Sequence, residues 1–454
     1  MTGGSLGTRL PLAPWLATWR GASVNRRILV AMVTVGGVTA LLKVAAMAKD
    51  MVVASYFGTS DAMDAFLIAF LLPAFAINVV ANSFEAALVP VYVRVRDTEG
   101  ADAARELLAT TLVRAGLVFL IAVAVLASVG PLLVAAMGAP FGHAKLALAQ
   151  RLFFLLVPVV AINGLSVILG AVLNANGRVA TASATPIITS ICTVGGLLLG
   201  GRRWGVYAMA GGLVLGMTIE AALLSWRAYR CGLLAMGRRK HPAAAQVLRQ
   251  FLPVALGAAI MSNAPLVDQA MAATLGAGSV AALGYGAKVV AAGFGIGVTA
   301  LSMAVFPHFS AMVAVSDWNA LRRTLRIYTG LVVAVSVPLV IAIVHYSQPI
   351  VKLVFERGAF SPSDTDLVAR VQAAYALQIP FYVLGIMGTR LLSAMQANRT
   401  VMWISVVSFV ANVAGNFVLM RVWGVVGIAL STSLVYLTSL VLIALAVQRE
   451  LRRV

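Results

Sequence analysis

Apolar runs of about 18 residues or more succeed one another along the chain, and each is closed by a cluster of charges or a Gly, Asn or Pro turn. A run of that length, wound as a helix, crosses roughly 30 Å of hydrocarbon. The breaks predict spans near 30–56, 64–91, 107–137, 149–173, 182–200 and 204–226, then 250–275, 279–307, 325–346, 370–396, 401–420 and 424–447. The pattern is that of an all-α polytopic membrane protein with about twelve transmembrane helices.

Composition removes the soluble alternative. Hydrophobic residues make up 61% of the 454 and charged residues only 11%, with a mean hydropathy of +0.96. The net charge of +19 would suggest nucleic-acid binding in a soluble chain. Here it fits cytoplasmic loops that collect Lys and Arg, and no nucleic-acid partner is expected. Arg94, Arg96 and Arg105, then Arg238, Arg239 and Lys240, then Arg322, Arg323 and Arg326 all fall on one side of the predicted topology, which places both termini in the cytoplasm. Arg202 and Arg203 fall on the other side, against the rule. Residues 1–27 hold Arg9, Arg20, Arg26 and Arg27 but no compact apolar stretch with a cleavage site, and read as a cytoplasmic extension. Cys192 and Cys231 imply neither a disulfide framework nor a thiolate metal site.

The order of features repeats at an offset of roughly 220 residues. Asp50 to Gly58 matches Asp268 to Gly276, and Pro90 matches Pro307. Pro158 and Asn176 match Pro380 and Asn398, and Arg202-Arg-Trp-Gly-Val206 echoes Arg421-Val-Trp-Gly-Val425. Six spans per repeat put both halves in the same orientation, the parallel kind of transporter repeat, with a cleft between two lobes. The expected division is an extension over 1–27, an N-lobe over 28–230, a basic cytoplasmic linker over 231–248 and a C-lobe over 249–454.

Charge inside the spans points to function, because an ionisable side chain at bilayer depth costs several kcal/mol. Lys43 and Asp50, seven apart, share a face of the first span, and Lys49 lies beside them. Asp64 opens the second span, Glu85 lies late in it, Asp268 is in the seventh, Lys288 in the eighth and Arg390 in the tenth. One reading is internal ion pairing, Lys49 with Asp64 or Lys288 with Asp268. The other is a cationic site for a phosphate-bearing ligand, made by Lys43, Lys49, Asp50, Asp64, Lys288 and Arg390.

Lys43 to Pro90, with Ala48-Lys-Asp50, Phe57-Gly58, Asp64-Ala-Phe66 and Leu72-Pro73, resembles the opening of the MurJ/MviN family of the MOP superfamily. Gly170-Ala-Val-Leu-Asn174, Phe306-Pro-His-Phe-Ser310 and Val354-Phe-Glu-Arg-Gly-Ala-Phe-Ser361 with Asp364 extend the resemblance to residues 27–450. It implies a MATE-like two-lobe fold in the bacterial inner membrane. It also implies flipping of an undecaprenyl-pyrophosphate-linked glycan, lipid II or a related polysaccharide repeat unit. The family holds the pyrophosphate with arginines in a central cavity, and Lys43, Lys49 and Lys288 stand at the matching positions. Its paired basic residues in the second span fall near Ile77 and Asn78, and the family commonly continues for two further helices beyond the twelfth. Implied partners are the lipid-linked glycan, membrane lipids, and cell-wall or polysaccharide assembly proteins.

Some members of the family bind sodium with residues of the seventh, eleventh and twelfth spans. Asn412 and Asn416, four apart on one face, Thr432 and Asp268 are compatible with such a Na+ site for a coupling ion. The first lobe has Thr193 and Leu197 at the mated positions. Asparagines in membrane helices also bond across to neighbours, and spacing leaves both readings open. No other cofactor is expected. A MATE-type antiporter would place acids deep in its cavity, and a non-transporting assembly scaffold fits the same pattern of spans. An enzyme, such as a glycan ligase, needs converging catalytic groups, whereas His143, His241, His308 and His345 are scattered.

Overall fold

The computed structural model describes residues 24–234, 241–291, 309, 312–313 and 315–452. The Arg238–Lys240 cluster, most of the N-terminal extension, the later half of the eighth span and Phe306, Pro307, His308 and Ser310 lie outside the described residues. Among the described residues all regular structure is helical.

The helices follow the predicted spans. The first is Val24–Phe57. Then come Asp61–Glu99, Ala101–Met137, His143–Ala175, Thr181–Trp204 and Val206–Arg230. The second half has Ala243–Leu275, Ser279–Ala291 as the described start of the eighth, Trp318–His345 and Pro362–Ala394. Asn398–Arg452 is two spans joined at Gly424, whose φ of 57° and ψ of −136° are not helical. The ninth and tenth spans begin earlier than hydropathy alone indicates, because their first turns are polar but capped, the ninth by Asp317, which accepts the Ala320 N–H at 3.0 Å. The tenth opens at Pro362, with Ser361 and Asp364 forming a reciprocal capping box. A further helix, Ser347–Phe355, lies between the ninth and tenth spans and is too short to cross a membrane.

One face of the bundle gathers the basic ends. Arg94 donates to Gln246 at 2.7 Å, joining the second span to the start of the seventh. Arg322, at the start of the ninth, donates to the Leu451 carbonyl at 3.0 Å, at the end of the twelfth. At the opposite face lie Gly58 and Gly276, repeat mates that close their helices with positive φ of 52° and 116°.

The seventh span is broken. Ser262 and Asn263 interrupt it, and the helix restarts at Ala264 with Pro265 in its first turn, where the missing N–H costs nothing. Before the break, Ala244, Val247, Phe251 and Ala255 pack into the N-lobe core with Phe84, Tyr92 and Leu107. Phe84 and Phe251 stack at 4.2 Å between centroids. After the break, Ala264–Ala272 packs on the eleventh and twelfth spans. The second span has its own irregularity, a π-helical turn at Ile77–Ala81. Such turns recur at functional places in helices.

Candidate functional site

Three groups of polar residues stand out, two where helices of the two halves approach and one within the second half. The first centres on Asp50, late in the first span and 7% exposed. Its Oδ1 is 3.0 Å from Lys49 Nζ and 2.9 Å from Lys288 Nζ. Lys288 arrives from the eighth span, so the cluster joins the halves. The pairing differs from both sequence alternatives, Lys49 with Asp64 and Lys288 with Asp268, because those two acids are satisfied elsewhere. Lys43 lies half-buried two turns earlier on the same helix face, and makes no ion pair among the described residues. Arg390 stands exposed near the end of the tenth span, and the Asp50 carboxylate is held by the two lysines.

The second group joins the halves at the Gly58 end. Asp64 is fully buried. Its Oδ1 accepts the Ala281 N–H at 2.8 Å, and its Oδ2 accepts the Gly278 N–H at 2.7 Å and Lys145 Nζ at 2.8 Å. A carboxylate of the second span therefore caps the N-terminus of the eighth, where free N–H groups and the helix dipole favour negative charge. Lys145, from the start of the fourth span, also reaches Asp61 at 2.6 Å and covers the Phe141 ring at 4.1 Å. Asp64 thus stands apart from the Asp50 cluster. Sequence reasoning passed over Lys145, whose position outside an apolar run gave no signal of depth.

Backbone completes this contact. The Ala359 N–H donates to the Ser55 carbonyl at 2.8 Å, and Thr59 donates its hydroxyl to Asp364. Gly278 (φ +80°) and Gly358 (φ +61°) approach so closely that a Cβ on the first would stand 2.5 Å from the Thr59 carbonyl oxygen. A Cβ on the second would strike that of Ser55. One apolar core runs through the contact, with Val53, Ala54 and Phe66 from the first half against Tyr285, Phe355 and Phe360 from the second.

The third group lies within the second half. Asp268, after the break in the seventh span, accepts Asn412 Nδ2 at 3.1 Å and Asn416 Nδ2 at 2.6 Å on Oδ1. Thr432 donates to its Oδ2 at 3.2 Å. The four residues named from the sequence therefore meet. Both asparagine Oδ1 atoms are buried without a partner among the described residues, and each such oxygen costs about 1–3 kcal/mol. A half-turn of each amide would aim both oxygens at the carboxylate, an arrangement that only a cation between them would favour. Two amide oxygens, a carboxylate and a hydroxyl are the donors of a hard monovalent ion, so the residues fit sodium. Among the described residues no three His, Cys, Asp or Glu gather as for a transition metal.

Comparison with known proteins gives these geometries a frame. The family profile described as "Lipid II flippase MurJ" matches residues 53–453. The "Probable lipid II flippase MurJ" of Vibrio cholerae is 23% identical over 437 residues, covering 91% of this chain and 81% of the relative. That of Synechocystis is 26% identical over 431 residues, covering 91% and 80%. Among solved structures, a lipid II flippase MurJ in an inward closed conformation superposes with a TM-score of 0.77 at 20% identity, covering 92% of this chain and 87% of that one. An inward-facing MATE multidrug transporter of the MOP superfamily gives 0.74 at 12% identity, covering 91% and 99%. The structural likenesses establish a MOP-type fold, and the profile covers Lys288 and the Asp64 and Asp268 groups, with Lys43, Lys49 and Asp50 lying just before its first matched residue. This chain belongs to the MurJ lipid II flippase family.

Proposed function

We propose that the chain moves lipid II, or a lipid-linked glycan carrying the same pyrophosphate, from the inner to the outer leaflet of the bacterial cytoplasmic membrane by alternating access. The observation that carries this reading is the placement of Lys49 and Lys288, one from each half, on one oxygen of Asp50. Two ammonium groups on one carboxylate leave a positive charge unbalanced where the halves face each other. A pyrophosphate brings more negative charge than Asp50 and competes for both lysines, while Asp50 keeps them compensated when no cargo is bound. Lys43, a helix turn or two away on the same face, and Arg390 would contact the glycan phosphate chain further along the cleft. Asp64 moves in this reading from ligand to gate.

The basic face of the bundle is the cytoplasmic one, by the rule that positive loops stay inside. The contact at Gly58, Gly278 and Gly358 is then an outer gate, closed here, and cargo enters from the inside. Opening it costs the two backbone bonds on Asp64, the Ala359–Ser55 bond and the Thr59–Asp364 bond together. A Na+ ion at Asp268, Asn412, Asn416 and Thr432 supplies coupling when bound; the chain's part is to offer it four oxygens. Neither reaction chemistry nor a catalytic residue is part of this function, and the partners are the lipid-linked substrate, surrounding lipids and the cell-wall assembly proteins that use the product.

The test is complementation in cells depleted of their own lipid II flippase. Lys49→Ala and Lys288→Ala are expected to abolish growth while membrane insertion is retained, and Lys288→Arg to restore it. Growth supported by both alanine variants would overturn the reading.

A further inference from the structure

Two cavities meet at Asp268 and Thr432. One, of about 240 Å³, lies between the seventh, eighth and tenth spans on the side that the two halves share, where Gly284 stands against Leu67 of the first half; Gln269, Leu283, Gly284, Ala287, Tyr375 and Gln378 line it. The other, of about 200 Å³, lies inside the second half between the seventh, eleventh and twelfth spans, lined by Ser405, Ser408, Phe409, Tyr436 and Ser439 beside Asn412. Thr432 lines both, so its hydroxyl, on Asp268 Oδ2, is part of the partition between them.

The polar residues of the inner cavity form two rows. On the eleventh span Asn412, Ser408 and Ser405 recede at intervals of four and three residues, which keeps them on one helix face. On the antiparallel twelfth span Thr432, Tyr436 and Ser439 do the same. Both rows run from the carboxylate toward the face that carries Arg399 and Arg449, over about 10 Å. Ser408 Oγ, like the two asparagine oxygens, is buried with no partner among the described residues. Serines that merely let helices pack closely would leave no space, yet here they border room for several waters. The cavity on the shared face has polar lining from Gln269, Tyr375 and Gln378 beside Leu283, Gly284 and Ala287, but besides Thr432 its lining brings only one hydroxyl, that of Tyr375, and no facing rows of them.

We propose that the cation exchanges with solution through this serine-lined vestibule inside the second half, and not through the cleft that the cargo uses. The inference rests on the sodium reading of the Asp268 site. Hydroxyls of Ser405, Ser408, Tyr436 and Ser439 replace successive waters as the ion passes, and Thr432 keeps the vestibule separate from the cleft. Cargo and ion then have separate doors, so a lipid lodged in the cleft leaves the ion free to come and go.

The experiment uses full-length protein in detergent with Cys192 and Cys231 replaced by serine. Ser408→Cys and Gln269→Cys report the two cavities through their rates of modification by a small cationic methanethiosulfonate. Sodium, against potassium at equal ionic strength, is expected to slow labelling of Ser408→Cys and leave Gln269→Cys unchanged; protection of Gln269→Cys alone overturns the proposal in favour of the cleft. In parallel, Ser408→Leu should retain the sodium-dependent rise in melting temperature while exchange of radiolabelled Na+ slows by about tenfold. Unchanged exchange in that variant overturns the route. Loss of its sodium response makes Ser408 a ligand instead of a passage, and also overturns it. A parent protein with no sodium response at all removes the sodium reading itself, an outcome separable from the others because it precedes any substitution.

Discussion

Asp64 answers to both halves at once, taking two backbone N–H groups from one and the Lys145 ammonium from the other. Removing the ammonium leaves a carboxylate with no exposed surface facing only dipoles. Lys145→Ala is therefore expected to cost about 3 kcal/mol, read as a lowered melting temperature in detergent. Asp64→Asn loses the charge and turns an amide N–H toward a backbone N–H, so it too should destabilise. The double variant should cost clearly less than the sum of the singles, since Lys145 has little left to compensate. Strict additivity would mean the two do not act as a pair. The glycines beside them predict a change of state more than of stability. Gly278→Ala and Gly358→Ala each place a methyl on an opposing carbonyl at positive φ, so both should favour separation at this contact. Spin labels at Ala139 and Ser363 are expected to show longer distances in the variants; an unchanged distribution would refute the idea.

At the scale of elements, the seventh span belongs to both halves. Its first part is held by Phe84, Tyr92 and Leu107, its second by the eleventh and twelfth spans, and the break at Ser262 and Asn263 lies between. Relative movement of the halves must be absorbed there, because the packed segments on either side are not deformable. Pro265→Ala restores a donor and lets the helix run through. Folding is expected to be preserved and cargo movement to fall several-fold, measured by accessibility of lipid II at the outer leaflet; wild-type flux would show the break to be incidental. The hydropathy pattern located this span but not its interruption, since Ser262-Asn263-Ala264-Pro265 is only mildly polar and sits within an apolar run. The short helix Ser347–Phe355 and the polar first turn of the tenth span were hidden because neither is an apolar run of spanning length; the signal of the second is its capping box, not hydrophobicity.

Over the whole molecule, the order of the spans was legible in the chain because it rests on local hydropathy. Asp50 and Asp268, matched in the sequence repeat, are both buried, yet their surroundings differ: one holds lysines, the other amides and a hydroxyl. The members of the Asp268 group were legible because the family resemblance pointed to the seventh, eleventh and twelfth spans, and Asn412 and Asn416 share a face of one of them. Sequence alone could not match Lys288 to Asp50, a pairing 238 positions apart that depends on how the halves meet. If Asp268 is the coupling site, sodium should stabilise the whole protein by an amount that rises with the logarithm of its concentration above Kd, about 2.7 kcal/mol at a hundredfold excess. Asp268→Asn should lose that response and keep its fold, since an amide can still bond to Thr432. Equal melting curves in sodium and potassium for the parent chain would defeat the site.

At Gly278 and Gly358 main chain lies against main chain: the Ala359 N–H meets the Ser55 carbonyl, and the Thr59 and Ser55 carbonyls stand where a Cβ on either glycine would have to fit. An antibacterial compound that clamped this seam by imitating its peptide geometry would bind atoms that mutation cannot change. The usual route to resistance, a bulkier side chain in the drug's way, is barred at these two positions, because the bacterium would block its own flippase first.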